Sequence, residues 1–252
     1  MIVYLSCAKI MAEVCDRSLE SISTEPHFLK HAEDNAVRMA SCTPFEISSM
    51  LGVNESIALD VWNRYQHFFD ASVSALPAVF AYDGMAFRKL SPETMTDDDL
   101  VYANSHLFIA SFLYGLLRPL DVVKRYRLEG NVVLPGRDGV NMFAYWKPLL
   151  TDFFIDRIKA DDGILVNLAS DEMKNMVDWK RVCREVKVIS PSFRVAKNGR
   201  LRTVVVYAKM CRGAMARYIL ENRLTDPEQL KSFEFEGFRH DSSSGEFDFN
   251  LL

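Results

Sequence analysis

The chain opens on four consecutive apolar positions, Ile2 to Leu5, and turns polar at Ser6-Cys7-Ala8-Lys9, the profile of a short buried strand. Glu20 to Ser41 is polar, free of Gly and spaced as a helix. Ser41-Cys42-Thr43-Pro44 punctuates it, with Thr43 as the N-cap of a new helix and Pro44 at its first position. The pattern predicts helices over 44–51 and 55–69, joined by Gly52-Val53-Asn54. Ser91-Pro92-Glu93 opens another, and the spacing from Asp97 to Phe112 reads as a helix that Gly115 to Pro119 ends. Residues 125–140 carry Gly, Pro and charge and predict an extended or hairpin stretch, after which 143–159 returns to helix. Strands follow at 164–167 and 187–191, around a helix at 171–179. Asn198-Gly199 is a hairpin signal between 193–197 and 201–209, and a helix is expected to begin near Arg212. With no repeat or linker in view, these elements predict a single mixed α/β (α+β) domain over residues 1–252. It would have a central mixed sheet, surrounding helices and a helical lobe at 44–70.

Composition narrows the class. The chain has 252 residues, 49% of them hydrophobic and 25% charged, enough to bury a core without staples. Its five cysteines are odd in number and show no CxxC spacing, which signals neither a disulfide framework nor a zinc site. No segment approaches 18 uninterrupted apolar residues and the start is too short for a signal peptide, so a cytoplasmic, non-membrane protein is expected. A net charge of −4 argues against indiscriminate coating of nucleic acid and leaves room for a focused basic cleft.

Candidate chemistry gathers where cations stand in unusual places. From Leu201 to Arg223 there are five (Arg202, Lys209, Arg212, Arg217, Arg223) against one acid, Glu221. A helix starting near Arg212 would hold Lys209 and Arg212 at its positive end, which is tolerated if an external anion such as phosphate sits there. Internal pairing with acids such as Asp121 or Glu129 would also account for these cations. The Gly52-Val53-Asn54 loop, with Ala58 following, has the form of a helix-hairpin-helix unit whose loop N–H groups grip a phosphate. There Asn54 replaces a left-handed Gly, Glu55 opposes the phosphate, and a plain helical hairpin is the other reading. If the strands share a parallel sheet, Ser6 with Lys9, Asn167 with Ser170, and Lys209 with Arg212 meet at its carboxyl edge as a pocket, to which Arg118, Arg125 and Arg127 add phosphate donors. Ser170 also reads as a helix N-cap. The five histidines are scattered, so no metal site is expected, and no cofactor, hydrolase or nucleotide-loop motif is present.

The strand-then-Ser-x-Ala-Lys start at 6–9, LYGLLRPLD at 113–121, YRLE at 126–129, NLASDE at 167–172, and YAK-x-x-RG with RYILENRL at 207–224 together resemble the YaaA peroxide-stress protein family over nearly the whole chain. The chain departs from the family pattern at Cys7, Ile10, Phe112 and Tyr82-Asp83-Gly84-Met85. The resemblance implies a cytoplasmic bacterial protein that limits damage from iron and oxidants. It also implies an α/β fold with a helix-hairpin-helix element and a positive cleft for double-stranded DNA. The expectation is therefore a DNA-backbone binder using Gly52, Val53, Asn54, Lys9, Arg118, Arg127, Lys209, Arg212, Arg217 and Arg223. The alternative is an enzyme acting on damaged DNA or a phosphate-bearing molecule, with Lys9 as nucleophile or base near Tyr114 and Asn167.

Overall fold

In the computed structural model, which describes residues 1–197 and 199–251, the apolar start becomes β1 (Ile2–Ser6), buried over Ile2 to Leu5. Helix α1 (Leu29–Ala40) covers only the second half of the stretch expected to be helical, because Pro26 and the turns around it keep 19–28 irregular. Thr43 caps α2 (Pro44–Leu51) through a reciprocal capping box with Glu46, and Asn54 caps α3 (Glu55–Gln66). Next come β2 (Ala75–Pro77), α4 (Ala78–Ala81), α5 (Met85–Leu90) and a 3₁₀ turn at Pro92–Thr94. Helix α6 (Asp97–His106) is shorter than its apolar spacing predicts, since the chain switches to β3 (Leu107–Ser111), all of it buried. An unbroken apolar run suits a buried helix and a central strand equally well, and pairing with β1 decides between them. Likewise Gly115 to Leu117 forms the strand β4 (Gly115–Leu117).

After β5 (Val122–Lys124), the longest helix, α7 (Met142–Ala160), crosses to β6 (Ile164–Asn167). The segment expected as one helix at 171–179 is a 3₁₀ turn at Asp171–Met176 followed by α8 (Trp179–Glu185) and then β7 (Lys187–Ile189). The hairpin is formed by β8 (Ser192–Lys197) and β9 (Arg200–Arg202), with Lys197 opposite Arg200. Of its turn, Gly199 takes φ +71, while Asn198 lies outside the described residues. Helix α9 (Val205–Glu221) begins seven residues before the expected Arg212. The β-branched residues Val205 and Val206 enter the helix because burial of Ala208, Cys211 and Met215 outweighs their weak preference against it. A 3₁₀ turn at Pro227–Ser232 leads to β10 (Glu234–Phe235), β11 (Phe238–His240) and β12 (Asp248–Leu251).

The expected mixed α/β architecture is present. One sheet runs β4-β3-β1-β6-β7, parallel except for β4 at its edge, and a second runs β10-β11-β12-β8-β9. No described helix is long and apolar enough to cross a membrane. In the first sheet the chain leaves β1 toward β3 on one side, and leaves β6 toward β7 on the other. The carboxyl ends of β1 and β6 therefore flank a topological switch point, where open α/β sheets leave a crevice. Helix α9 lies over this region by packing on α5 so closely that a Cβ on Gly213 would stand 1.9 Å from the Ala86 carbonyl oxygen.

The Gly213→Ala variant is therefore expected to lose about 3 kcal/mol despite its better helix propensity. That corresponds to a fall of roughly 6 to 12 °C in Tm for a chain of this size, readable by thermal denaturation. An unchanged Tm would mean that the two helices do not depend on this approach.

Candidate functional site

The end of β1 is pinned to the loop after β6. The Ser6 hydroxyl donates to Ser170 Oγ at 3.2 Å and accepts the Ser170 N–H at 2.9 Å, and the Cys7 N–H reaches the Ala110 carbonyl of β3 at 3.0 Å. Between these strand ends and α9 lies a cavity of about 370 Å³. Its rim carries Lys9, Arg127, Glu129, Glu172, Lys209 and Arg212. Cys7, Phe87, Phe112, Tyr126 and Met173 line its interior.

The charges of this rim are not equivalent. Glu129 holds Lys9 at 2.8 Å and Arg127 at 3.7 Å, so one carboxylate serves two cations. Lys209 and Arg212, three residues apart on α9, have no ion pair and no side-chain hydrogen bond among the described residues. Arg212 is half-buried, and desolvation pushes its guanidinium below the usual value, with the charge of Asp171 acting in the opposite sense. A cation that loses water without gaining an internal partner is set up to receive an anion. The interior is neutral: burial holds the Tyr126 and Tyr82 phenols far above their usual range. Their hydroxyls lie 2.8 Å apart, and Ser111 Oγ is 2.7 Å from Tyr126 and accepts the Tyr114 N–H.

The structure brings Ser6, Lys9, Arg127, Ser170, Lys209 and Arg212 to this cavity. Lys209 and Arg212 arrive by a different route from the one expected: they stand within α9 and not at its start or after a strand of the central sheet, so the helix-terminus argument does not apply to them. Ser170 does occupy an N-cap position, but its side chain makes no cap bond and meets Ser6 instead. Asn167, 5% exposed, turns inward, its Oδ1 accepting the Ala169 N–H. Tyr114 is buried, and its hydroxyl accepts the Lys124 N–H in front of a separate cavity.

The remaining arginines are tied elsewhere. Arg118 grips the buried Asp121 at 2.7 Å and the Glu25 carbonyl at 3.0 Å. Arg125 pairs with Glu13. Arg217 donates to the carbonyls of Leu90 and Ser91 and pairs with Glu221, stapling α9 to the end of α5. Arg223 lies 3.5 Å from Asp99 and over the Tyr102 ring. In the α2–α3 loop Gly52 is left-handed, and the N–H groups of Gly52 and Val53 are both bonded to the Ser48 carbonyl. Asn54 is not left-handed: its φ is −70°, and its Oδ1 accepts the Ile57 N–H as the cap of α3.

Sequence reasoning counted Arg202 among the unusual cations without assigning it to the site, and missed Lys197 and Arg200, which stand exposed with it on the β8–β9 ribbon leading into α9, and also Glu172 on the cavity rim. None of these four has an ion pair among the described residues. A signal for the ribbon existed: from Val186 to Leu220 there are eight cations (Lys187, Arg194, Lys197, Arg200, Arg202, Lys209, Arg212, Arg217) and no Asp or Glu.

A mixed α/β protein with a cation-rimmed cavity at a sheet switch point is what the geometry defines. Comparison with known proteins places it further: residues 1–244 match the family model described as peroxide stress protein YaaA. The chain is similar to a UPF0246 protein of Phocaeicola vulgatus, 49% identical over 255 residues and 100% of both chains. A UPF0246 protein of Bacteroides thetaiotaomicron is 49% identical over 243 residues, covering 96% of this chain and 94% of the relative. Another, from Porphyromonas gingivalis, is 40% identical over 239 residues, covering 94% and 93%. The chain belongs to the YaaA peroxide stress protein family.

Cys7 borders the cavity and is only partly exposed, and desolvation pushes its pKa up to about 12, as it does for Cys211. Near pH 8 these thiols hold about a thousandfold less thiolate than at their ordinary value. Iodoacetamide should accordingly modify the exposed Cys183 and spare Cys7 and Cys211 in peptide mapping by mass spectrometry. Rapid labelling of Cys7 would show a reactive thiol at the site.

Proposed function

We propose that this protein acts in the cytoplasmic response to peroxide by holding duplex DNA through its backbone phosphates, limiting damage driven by iron and oxidants. The observation that carries this reading is a run of five cations, Lys197, Arg200 and Arg202 on the β8–β9 ribbon and Lys209 and Arg212 on α9, none in an ion pair among the described residues. In a chain of net charge −4, cations left without acids are sites for an external polyanion. An antiparallel ribbon is also a shape that enters a DNA groove. Lys9 and Arg127 add less to this set of cations, because Glu129 already neutralises part of their charge. The α2–α3 loop is a lesser contact in this reading, since Ser48 occupies two of its N–H groups and Glu55 opens α3. Contacts of this kind position DNA and select its shape, without reading bases. The reading of Lys9 as a nucleophile gains nothing from the geometry: its side chain is 67% exposed and paired, the opposite of the desolvated setting that activates an amine.

Fluorescence anisotropy with a labelled duplex tests the proposal. Two to five neutralised phosphates correspond to a log–log salt slope between about −2 and −4.5. Lys209→Glu with Arg212→Glu, and separately Arg200→Glu with Arg202→Glu, should each weaken binding by about tenfold or more, or about 1.4 kcal/mol. Arg223→Gln should leave it unchanged. A flat salt response, or full affinity in both double variants, would discard the DNA reading.

A further inference from the structure

We infer that the cavity between the ends of β1 and β6 is a binding site for a single nucleotide unit, a flat base carried on a phosphate. The unit would come either as a free mononucleotide or as a residue turned out of a DNA strand. The second source rests on the DNA reading above; the first does not.

Position and size come first. The cavity lies at the switch point of the parallel sheet, where ligands of α/β proteins bind, and its volume of about 370 Å³ falls in the range of small-molecule sites. Its lining combines cations, a carboxylate and an apolar, aromatic surface. On the α9 side Lys209 and the half-buried Arg212 form no ion pair among the described residues, Asp171 acting on Arg212 only from a distance, and a guanidinium takes a phosphate with two parallel hydrogen bonds. On the side of the 3₁₀ turn after β6, Glu172 is exposed and forms no ion pair among the described residues. A free carboxylate there is an acceptor for the amino and ring N–H groups of a base. Phe87, Phe112, Tyr126 and Met173 supply the apolar and aromatic part of the lining.

Each part of this arrangement excludes simpler occupants. Inorganic phosphate would satisfy α9 and leave the aromatic interior unfilled. An apolar molecule would leave Arg212 half-buried and without a partner, which is costly. A phosphate, a flat body and N–H donors occur together in a nucleotide. Extrusion of a base costs a few kcal/mol of stacking and pairing, least at a damaged or mismatched position. A pocket whose own rim carries phosphate-binding cations, Lys209 and Arg212, would receive such a base while its phosphate stays held.

Calorimetric titration with the common nucleoside monophosphates, their nucleosides and inorganic phosphate tests the site, followed by anisotropy on a fully paired duplex and on one with a single extrahelical nucleotide. At least one monophosphate should bind with a Kd between roughly 10 μM and 1 mM, and its nucleoside and inorganic phosphate about tenfold or more weaker. Arg212→Gln and Glu172→Gln should each lower monophosphate affinity by about tenfold, with folding checked by circular dichroism. Glu172 is exposed, so its variant keeps the test valid if Arg212→Gln misfolds. Arg200→Glu with Arg202→Glu should leave monophosphate binding unchanged. Preference for the extrahelical duplex, lost with Glu172→Gln, identifies the extruded residue as a source; monophosphate binding without that preference identifies the free nucleotide. Monophosphate binding without any duplex binding would sink the DNA reading and keep this one. No monophosphate binding up to about 10 mM together with equal affinity for both duplexes would overturn the inference.

Discussion

The hydrogen-bonded placement of β1 between β3 and β6 is the constraint on which the rest of the molecule depends. Five residues at the amino terminus pair in parallel with segments about a hundred and about a hundred and sixty positions away, and their side chains are almost wholly buried. Both edges of β1 are thereby satisfied, as the interior of a sheet requires. Its end must emerge next to the ends of its neighbours, and the Ser6–Ser170 pair fixes that meeting. The Met1 ammonium, 2.8 Å from both Asp161 and Asp162, anchors the other end of the strand.

A second constraint is the distribution of acids. Most arginines of this chain have carboxylate or carbonyl partners that bind one element to another. Arg118 neutralises a buried carboxylate, an arrangement whose disruption costs about 3–5 kcal/mol in comparable cases. Exposed pairs such as Arg64 with Asp60 contribute no more than about 1 kcal/mol. The stretch from Val186 to Leu220 lacks acids altogether, and five of its cations, Lys197, Arg200, Arg202, Lys209 and Arg212, form no ion pair among the described residues, while Arg194 and Arg217 reach acids outside it. The basic residues thus divide into those that bridge elements and those left without an acid within reach. That separation is set by packing, because Arg118 and Arg212 look alike as letters.

Legibility followed the range of the interactions. The cap of α2, the β8–β9 hairpin and the strands at 2–5 and 164–167 were readable, since each depends on neighbours along the chain, whereas Asn54 was read as a left-handed turn residue and is the cap of α3. Residues 107–111 were misread as helix because their apolar run carries no period, and only β1 and β4 as partners make it a strand. The start of α9 was misplaced because Val204 to Val206 favour strand locally, while the Gly213–Ala86 contact that secures the helix joins residues 127 positions apart. In the site, six of the expected residues converge, and Arg118, Arg217 and Arg223 are held elsewhere by Asp121, Glu221 and Asp99.

By itself the sequence determined the family, the mixed α/β class, the local caps and turns, and the surplus of cations near the carboxyl end of the chain. These rest on composition, on spacing and on bonds closed within a few residues. Tertiary structure alone decided which strands lie together, where α9 begins, and which cations keep their charge free, because each of those outcomes depends on a partner that folding brings from far along the chain.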